Sequence, residues 1–209
     1  MDTRSAYNSW SQQYDSNDNK TRDLEAISLR ECLQNISFDN CLEIGCGTGK
    51  NTVWLIEKAK HVTAVDLSEE MLAKAKQKIR DPGVVFKQAD INTAWNFTDR
   101  FYDLITFSLV LEHIENLENI FEKASRQLVN DGYIYIGELH PFKQYSGSKA
   151  RFENEDGLHI VECFTHHISD FIQAAKKSGL GVIDINEYFD DGNRNSVPRI
   201  LMILLKKFI

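Results

Sequence analysis

The chain predicts an α/β fold in which a mainly parallel sheet is covered by helices on both faces. Two observations carry this. Short apolar runs alternate with helix-period segments from Asn40 as far as Gly137, and parallel neighbours in a sheet need such helical crossovers between them. The last two apolar runs, Val182–Ile185 and Arg199–Leu205, are joined through Asp190-Asp191-Gly192-Asn193, a turn-forming tetrapeptide that suits an antiparallel pair.

Each element has its own reason. Residues 1–20 are rich in Ser, Asn and Asp yet carry Tyr7, Trp10 and Tyr14. That is more aromatic surface than a solvated tail needs, so this arm is expected to fold over something. A helix follows from Thr21, with Leu29, Cys32, Leu33 and Ile36 at helical spacing. Asn40–Ile44 is the first strand, and a glycine turn opens a helix from about Lys50 that points Val53, Leu55 and Ile56 at the sheet. His61–Val65 is the second strand and ends at Asp66. Ser68 caps a helix carrying Met71, Leu72, Ala75 and Ile79, with Glu69 and Glu70 in the first turn, where the helix dipole favours them. Pro82-Gly83 ends it. Val84–Lys87 is a third strand leading to Asp90, and Phe101–Phe107 is a fourth, ending at Ser108. Leu117, Ile120, Phe121, Ala124 and Leu128 mark the most regular helix. Asp131-Gly132 turns into a fifth strand, Tyr133–Gly137. Residues 139–166 show little periodicity, and a helix with Ile168, Phe171, Ile172 and Ala175 then runs to Gly179. Right-handed crossovers bring the loops after the strands to one sheet edge, so 45–49, 66–68, 90–91, 108–113 and 138–141 converge there.

At 209 residues a single domain is expected. Hydrophobic content of 42% with 26% charged residues is ordinary for a soluble protein. A net charge of −7 argues against a nucleic-acid backbone as partner, since such binding needs a basic surface. No apolar run approaches membrane-spanning length, and Met1-Asp2-Thr3-Arg4-Ser5 lacks the apolar core of a signal peptide. Cys32, Cys41, Cys46 and Cys163 form no Cys-x-x-Cys pair and read as free thiols, so a reducing, cytoplasmic location is expected. His166-His167 lack a third ligand at a supporting spacing, and no metal is expected. Monomer and homodimer both stay open.

The densest chemical signal is Leu42-Glu43-Ile44-Gly45-Cys46-Gly47-Thr48-Gly49, followed by Asp66 at the end of the next strand. Bare backbone at a strand end lets a ligand approach closely, and a carboxylate there can accept both hydroxyls of a ribose. A triphosphate-cradling loop would need Gly-x-x-x-x-Gly-Lys with Ser or Thr next, and Asn51 occupies that place. A dinucleotide fingerprint would need its third glycine where Lys50 stands.

Taken as an ordered set, Glu43-x-Gly45-x-Gly47-x-Gly49, Asp66-Leu67-Ser68-x-x-Met71, Asp90-Ile91, and Phe101 and Asp103 leading into Ser108-x-x-Leu111-x-His113 resemble the class I, seven-stranded S-adenosylmethionine-dependent methyltransferases. The resemblance covers roughly residues 35–140. It implies a three-layer Rossmann-like fold with sheet order 3-2-1-4-5-7-6 and strand 7 antiparallel. It also implies that Gly45, Gly47 and Gly49 lie along the methionyl part of the cofactor, S-adenosyl-L-methionine, whose spent form is S-adenosyl-L-homocysteine; Cys46, between two of these glycines, is expected to come near the ligand as a small residue. Glu43 would lie near the methionyl ammonium. Asp66 would hold the ribose, Leu67 and Met71 would flank the adenine, Asp90 and Ile91 would meet its amino edge, and Ser108 and Leu109 would contact the cofactor from the end of strand four. In small-molecule members an aromatic N-terminal segment closes the pocket, a role that Tyr14 suits best, with Tyr7 and Trp10.

The Asn/Asp-Pro-Pro-aromatic motif of enzymes that methylate nucleic-acid amino groups is replaced by Ser108-Leu109-Val110-Leu111. The paired-glutamate hairpin of arginine-modifying members and the two-cysteine arrangement of cytosine-5 enzymes are missing too. The branch acting on small metabolites remains, with O- or N-methylation preferred. Its expected layout is one domain over 1–209, with 1–35 as a cap and 139–166 as an acceptor-site insertion, Phe142–Asp156 forming the lid. His113 is the first candidate for a general base, because it follows strand four where reacting groups gather. His140, beside Glu138 at the end of strand five, and Tyr14 are further catalytic candidates. Arg151 and Arg194 are weaker candidates for anchoring an acceptor carboxylate. Two other readings stand beside this one: an NAD-dependent oxidoreductase, and a nucleoside-binding protein without turnover.

Overall fold

The computed structural model describes residues 2–154 and 157–208. Along the chain the helices and strands are α1 (Thr3–Trp10), α2 (Lys20–Leu33), β1 (Asn40–Ile44), α3 (Thr52–Lys58), β2 (His61–Asp66), α4 (Glu69–Lys78), β3 (Val84–Gln88) and β4 (Tyr102–Ser108). There follow α5 (Leu117–Gln127), β5 (Leu128–Leu139), α6 (Pro141–Tyr145), β6 (Arg151–Asn154), β7 (Gly157–Ile160), α7 (Ile168–Lys177), β8 (Leu180–Tyr188) and β9 (Ile200–Lys207). Seven strands form one sheet in the order β3-β2-β1-β4-β5-β9-β8. The first five are mutually parallel, and β9 runs antiparallel to both β5 and β8. This is the order that the resemblance implies, with β8 and β9 as its strands six and seven.

The period of two along the central strands builds the three layers. On β9, Leu201, Ile203 and Leu205 face a core that holds Ile120, Phe121 and Ala124 of α5 and Phe171 and Ala175 of α7. Met202 and Leu204 point to the opposite face, against a core that holds Leu29 and Leu33 of α2 and Leu55 of α3. β5 divides the same way, Ile134 and Ile136 on one side and Tyr135 on the other. Polar residues in helical segments are used as caps: Asp2, Asn19, Ser68 and Asn116 each accept a backbone N–H at a helix start.

Three local expectations need correction. Leu128 is not helical: α5 ends at Gln127, and the chain turns straight into β5, whose register with β4 shifts between Tyr102 and Leu104. β8 extends well beyond Val182–Ile185, because pairing with β9 satisfies the backbone even where Asp184 and Asn186 interrupt the apolar run. The unpatterned stretch 139–166 contains helix α6 and the β6–β7 hairpin, in which Arg151 pairs with Ile160 and Phe152 with His159. Glu155 and Asp156, the end of the expected lid, lie outside the described residues.

Candidate active site

The loops after β1, β2, β3 and β4 converge on a cavity of about 560 Å³, inside the usual range for small-molecule sites. Its floor is the glycine turn. The N–H groups of Gly45 and Cys46 both donate to the Val65 carbonyl, at 2.8 and 3.0 Å, which pulls the turn against β2. Gly47 sits at φ +54°, and a Cβ built on it would meet nothing within 4 Å. A side chain is therefore excluded there by backbone conformation and by nothing that the protein itself supplies, which leaves open space beside bare backbone for a ligand.

Asp66 stands over this turn. Its Oδ2 accepts the Gly47 N–H and its Oδ1 the Ser68 N–H, both at 2.8 Å. Burial pushes its pKa up, while those amide donors pull it down. Two backbone donors occupy only part of the carboxylate's accepting capacity, so a vicinal diol can be added without breaking the loop. Leu67, Met71, Asp90 and Ile91 extend the same wall. On the opposite wall are Ser108 and Leu109, the latter held at φ +56° with its N–H on the Gly137 carbonyl, 2.8 Å away. A leucine in that conformation is strained, as backbone at ligand sites often is.

The roof comes from the N-terminal arm. Tyr7 and Tyr14 line the cavity. Behind them Trp10 stacks on Tyr7 with centroids 5.6 Å apart and on Phe152 of β6 at 5.3 Å, so α1 and the hairpin share one small apolar core with Met71. Ser68 donates to the Asn8 side chain at 2.6 Å, and Thr48 donates to Asp15 at 2.5 Å. Burial pushes the Tyr14 phenol up to about 12, and the Arg22 guanidinium lies 4.8 Å over its ring. Tyr14 is thus a neutral donor near pH 7. His113 completes the wall: its Nδ1 is 2.8 Å from the Glu162 carbonyl and its Nε2 is 2.9 Å from the Tyr7 hydroxyl.

Eleven of the residues expected at the site therefore line one cavity: Tyr14, Gly45, Gly47, Asp66, Leu67 and Met71 on one side, and Asp90, Ile91, Ser108, Leu109 and His113 on the other. Four do not. Glu43 is buried beneath the turn, where it accepts from the Thr52 hydroxyl at 2.5 Å. Cys46 packs into the apolar core with Leu55 and Leu72, on the face away from the cavity. Gly49 takes φ +86° and packs against α4: a Cβ there would lie 3.4 Å from Ala75 Cβ and 2.7 Å from Ile79 Cδ1. His140 is fully buried, caps α6 and meets Glu187 of β8 at 3.0 Å, because β9 lies beside β5 and turns that strand end toward β8. Glu138 accepts the Val110 and Leu111 N–H groups and so fixes the loop that carries His113. Arg151 and Arg194 do not line the cavity either; Arg194 lies over Phe189.

Sequence reasoning missed several contributors. Arg4, Glu115 and Phe164 line the cavity without any motif to flag them. Behind Ser108 lies a buried polar group in which Asn51 donates to Glu25 at 2.9 Å and approaches Ser108 Oγ at 3.4 Å, while Tyr135 donates to Glu25 at 3.1 Å. The lining is acidic: Asp2, Asp66, Asp90, Glu115 and Glu162 outnumber Arg4. Such a wall suits a cationic ligand and opposes a pyrophosphate. Among the described residues no cluster of three or more His, Cys, Asp or Glu could hold a metal ion.

Comparison with known proteins agrees with the geometry. Residues 42–136 match the methyltransferase domain family model. An uncharacterised methyltransferase of Emericella nidulans is 23% identical, over 89% of this chain and 78% of that protein. A ubiquinone biosynthesis O-methyltransferase of Nitrosomonas europaea is 23% identical over 71% of this chain, which spans 63% of that protein's length. The N-methyltransferase NodS of Bradyrhizobium japonicum, solved with S-adenosyl-L-homocysteine, superposes with a TM-score of 0.70 at 18% identity, over 97% of this chain and 98% of that one. The motif order, the sheet topology with antiparallel β9 and the match of residues 42–136 to the methyltransferase domain family agree, and the fold is that of the class I, Rossmann-like S-adenosylmethionine-dependent methyltransferases.

Proposed function

We propose that this protein transfers a methyl group from S-adenosylmethionine to an oxygen or nitrogen of a small molecule. The observation that carries the reading is the pairing of Gly47, whose missing side chain leaves open space, with Asp66, whose carboxylate keeps accepting capacity toward that space. Asp66 would hold the ribose, Asp90 and Ile91 the adenine edge, and the backbone at Gly45–Gly47 the methionyl part. When bound, the cofactor supplies a methyl group already activated by a sulfonium.

The protein's task is then to align the acceptor and keep water out. Tyr7, Tyr14 and the hairpin contact through Trp10 supply the roof that excludes water. The acidic lining attracts a cationic cofactor before any contact is made. His113, with both ring nitrogens engaged, is the imidazole on this wall placed to act as a general base. An oxygen or nitrogen acceptor is in line with the O-methyltransferase and N-methyltransferase among the proteins that this chain resembles. A cytoplasmic location fits its four free cysteines, and among the described residues no helix is long and apolar enough to cross a membrane.

Calorimetric titration tests the reading. S-adenosylhomocysteine should saturate one site while NADH gives no heat; saturation by NADH alone would overturn it. Incubation with S-adenosylmethionine and a metabolite extract should then yield a product heavier by one methyl group.

A further inference from the structure

We propose that Tyr7 and His113 form a proton relay: the acceptor's proton passes to Tyr7 Oη as the Tyr7 proton passes to His113 Nε2. This rests on the methyltransferase reading above and adds to it the route by which the acceptor loses its proton.

The polarity of the pair follows from its outer partner. Glu162 offers a backbone carbonyl to His113 Nδ1 at 2.8 Å, and a carbonyl can only accept. Nδ1 therefore carries the ring proton. In the neutral imidazole Nε2 is then an acceptor, so the hydrogen bond of 2.9 Å to Tyr7 has the phenol as donor. Tyr7 Oη still has lone pairs to accept a further hydrogen bond, and both side chains line the cavity. The base is thus reached through the phenol. Direct proton transfer from an acceptor to Nε2 would first require Tyr7 to leave.

The surroundings favour the charge that results. Proton arrival makes His113 an imidazolium. The Glu112 carboxyl lies with Oε1 4.0 Å from Nε2, and its Oε2 is buried with no hydrogen-bond partner among the described residues; burial raises its pKa, and a charged His113 beside it lowers it again. Burial holds Tyr7 far above the ordinary phenol range, so it passes a proton on without resting as a phenolate. The balance is closed: the acceptor's lone pair forms the new bond to the methyl carbon, the carbon–sulfur pair stays on sulfur, and the acceptor's proton ends on His113, which returns it to solvent. Tyr7 is also seated independently of its hydroxyl, through stacking on Trp10 and an edge contact with the His113 ring at 5.4 Å.

The test uses Tyr7→Phe and His113→Gln in the full chain. The first keeps the ring and loses the relay atom. The second offers an amide that can hold both hydrogen bonds but accepts no proton near neutrality. Three readouts are taken: affinity for S-adenosylhomocysteine by calorimetry, the His113 tautomer by long-range proton–nitrogen NMR, and kcat on the acceptor identified by the methyl-gain screen. The expected result is a protonated Nδ1 in the parent chain, a shifted Nε2 signal in Tyr7→Phe, and S-adenosylhomocysteine affinity within about threefold in both variants. The kcat should fall by about 100-fold, the lower end of general-base contributions. A merely structural role for Tyr7 would move affinity or KM and leave kcat in place. A proton on Nε2 in the parent chain, or an unchanged kcat in either variant, overturns the relay. Failure of the parent chain to bind S-adenosylhomocysteine overturns the site reading instead, and the tautomer of the free chain still decides the polarity of the pair.

Discussion

Glu43 gives a quantitative test of where the structure places it. The residue is 3% exposed, receives the Thr52 hydroxyl, and is pushed by burial from 4.5 to about 8, with Glu25 and Asp66 adding repulsion. Between those two values the unfolded chain has lost the proton that the folded chain keeps. The folded state then binds more protons, so stability falls as pH rises through this window and is unaffected by this group below it. At about 1.4 kcal/mol per pH unit the window is worth roughly 5 kcal/mol, as an order of magnitude. Glu43→Gln keeps an acceptor for Thr52 and removes the ionisation. Glu138, also raised to about 8, pulls in the same direction, so the parent chain alone cannot isolate the effect. The difference between parent and variant can. Urea unfolding followed by tryptophan fluorescence at pH 4, 5, 6, 7 and 8 should show the smallest difference between the two chains at pH 4 and the variant increasingly favoured above it. Affinity for S-adenosylhomocysteine at pH 7 should be unchanged, because Glu43 lies beneath the cavity. Parallel stability curves, or a large loss of affinity, would refute the placement.

Other outcomes follow from the same geometry. Gly47→Ala should cost about 1–2 kcal/mol in the left-handed conformation at φ +54° and weaken S-adenosylhomocysteine binding at least about tenfold, since its methyl enters ligand space; calorimetry and urea unfolding separate the two effects. Asp66→Asn keeps one oxygen acceptor and should lower affinity for S-adenosylhomocysteine, read by calorimetry, by about 10- to 100-fold, the range of hydrogen bonds to a charged group. His140→Gln should lower stability by about 1 kcal/mol through its part-buried contact with Glu187, read by urea unfolding, and leave S-adenosylhomocysteine affinity untouched; a lost affinity would place His140 back at the site.

What the sequence made legible is what local spacing controls. The alternation of strand and helix fixes right-handed crossovers, and these alone bring Gly45, Asp66, Asp90 and Ser108 to one sheet edge. The aromatics in the polar arm pointed to packing, although nothing in the arm showed that Trp10 would stack on Phe152. Illegible were the contacts whose partners are far apart in sequence. The Tyr7–His113 bond joins the first helix to the loop after β4, and no periodicity in either segment encodes it. The hairpin β6–β7 was unreadable because its strands are only four residues long and β7 inverts the usual pattern, exposing Leu158 and Ile160 while His159 stacks on Phe152.

The residues that were misplaced share a cause. Motif spacing ranks positions by distance from the strand end, whereas a cavity selects them by the direction of the side chain. Glu43 and Ile44 are neighbours on β1 and must face opposite sides of the sheet: Ile44 lines the cavity, and Glu43 goes to Thr52. The glycines divide similarly. Gly47 faces open space, whereas Gly49, at φ +86°, lies against Ala75 of α4 and Ile79 just past its end. His140 fails for a larger reason. Its surroundings are set by β8 and β9, strands from the end of the chain that insert beside β5, so its partner Glu187 is invisible to any window around residue 140. The glycine motif therefore carries two physical demands in one string, room for a ligand and room for a helix, and only the packed sheet separates them.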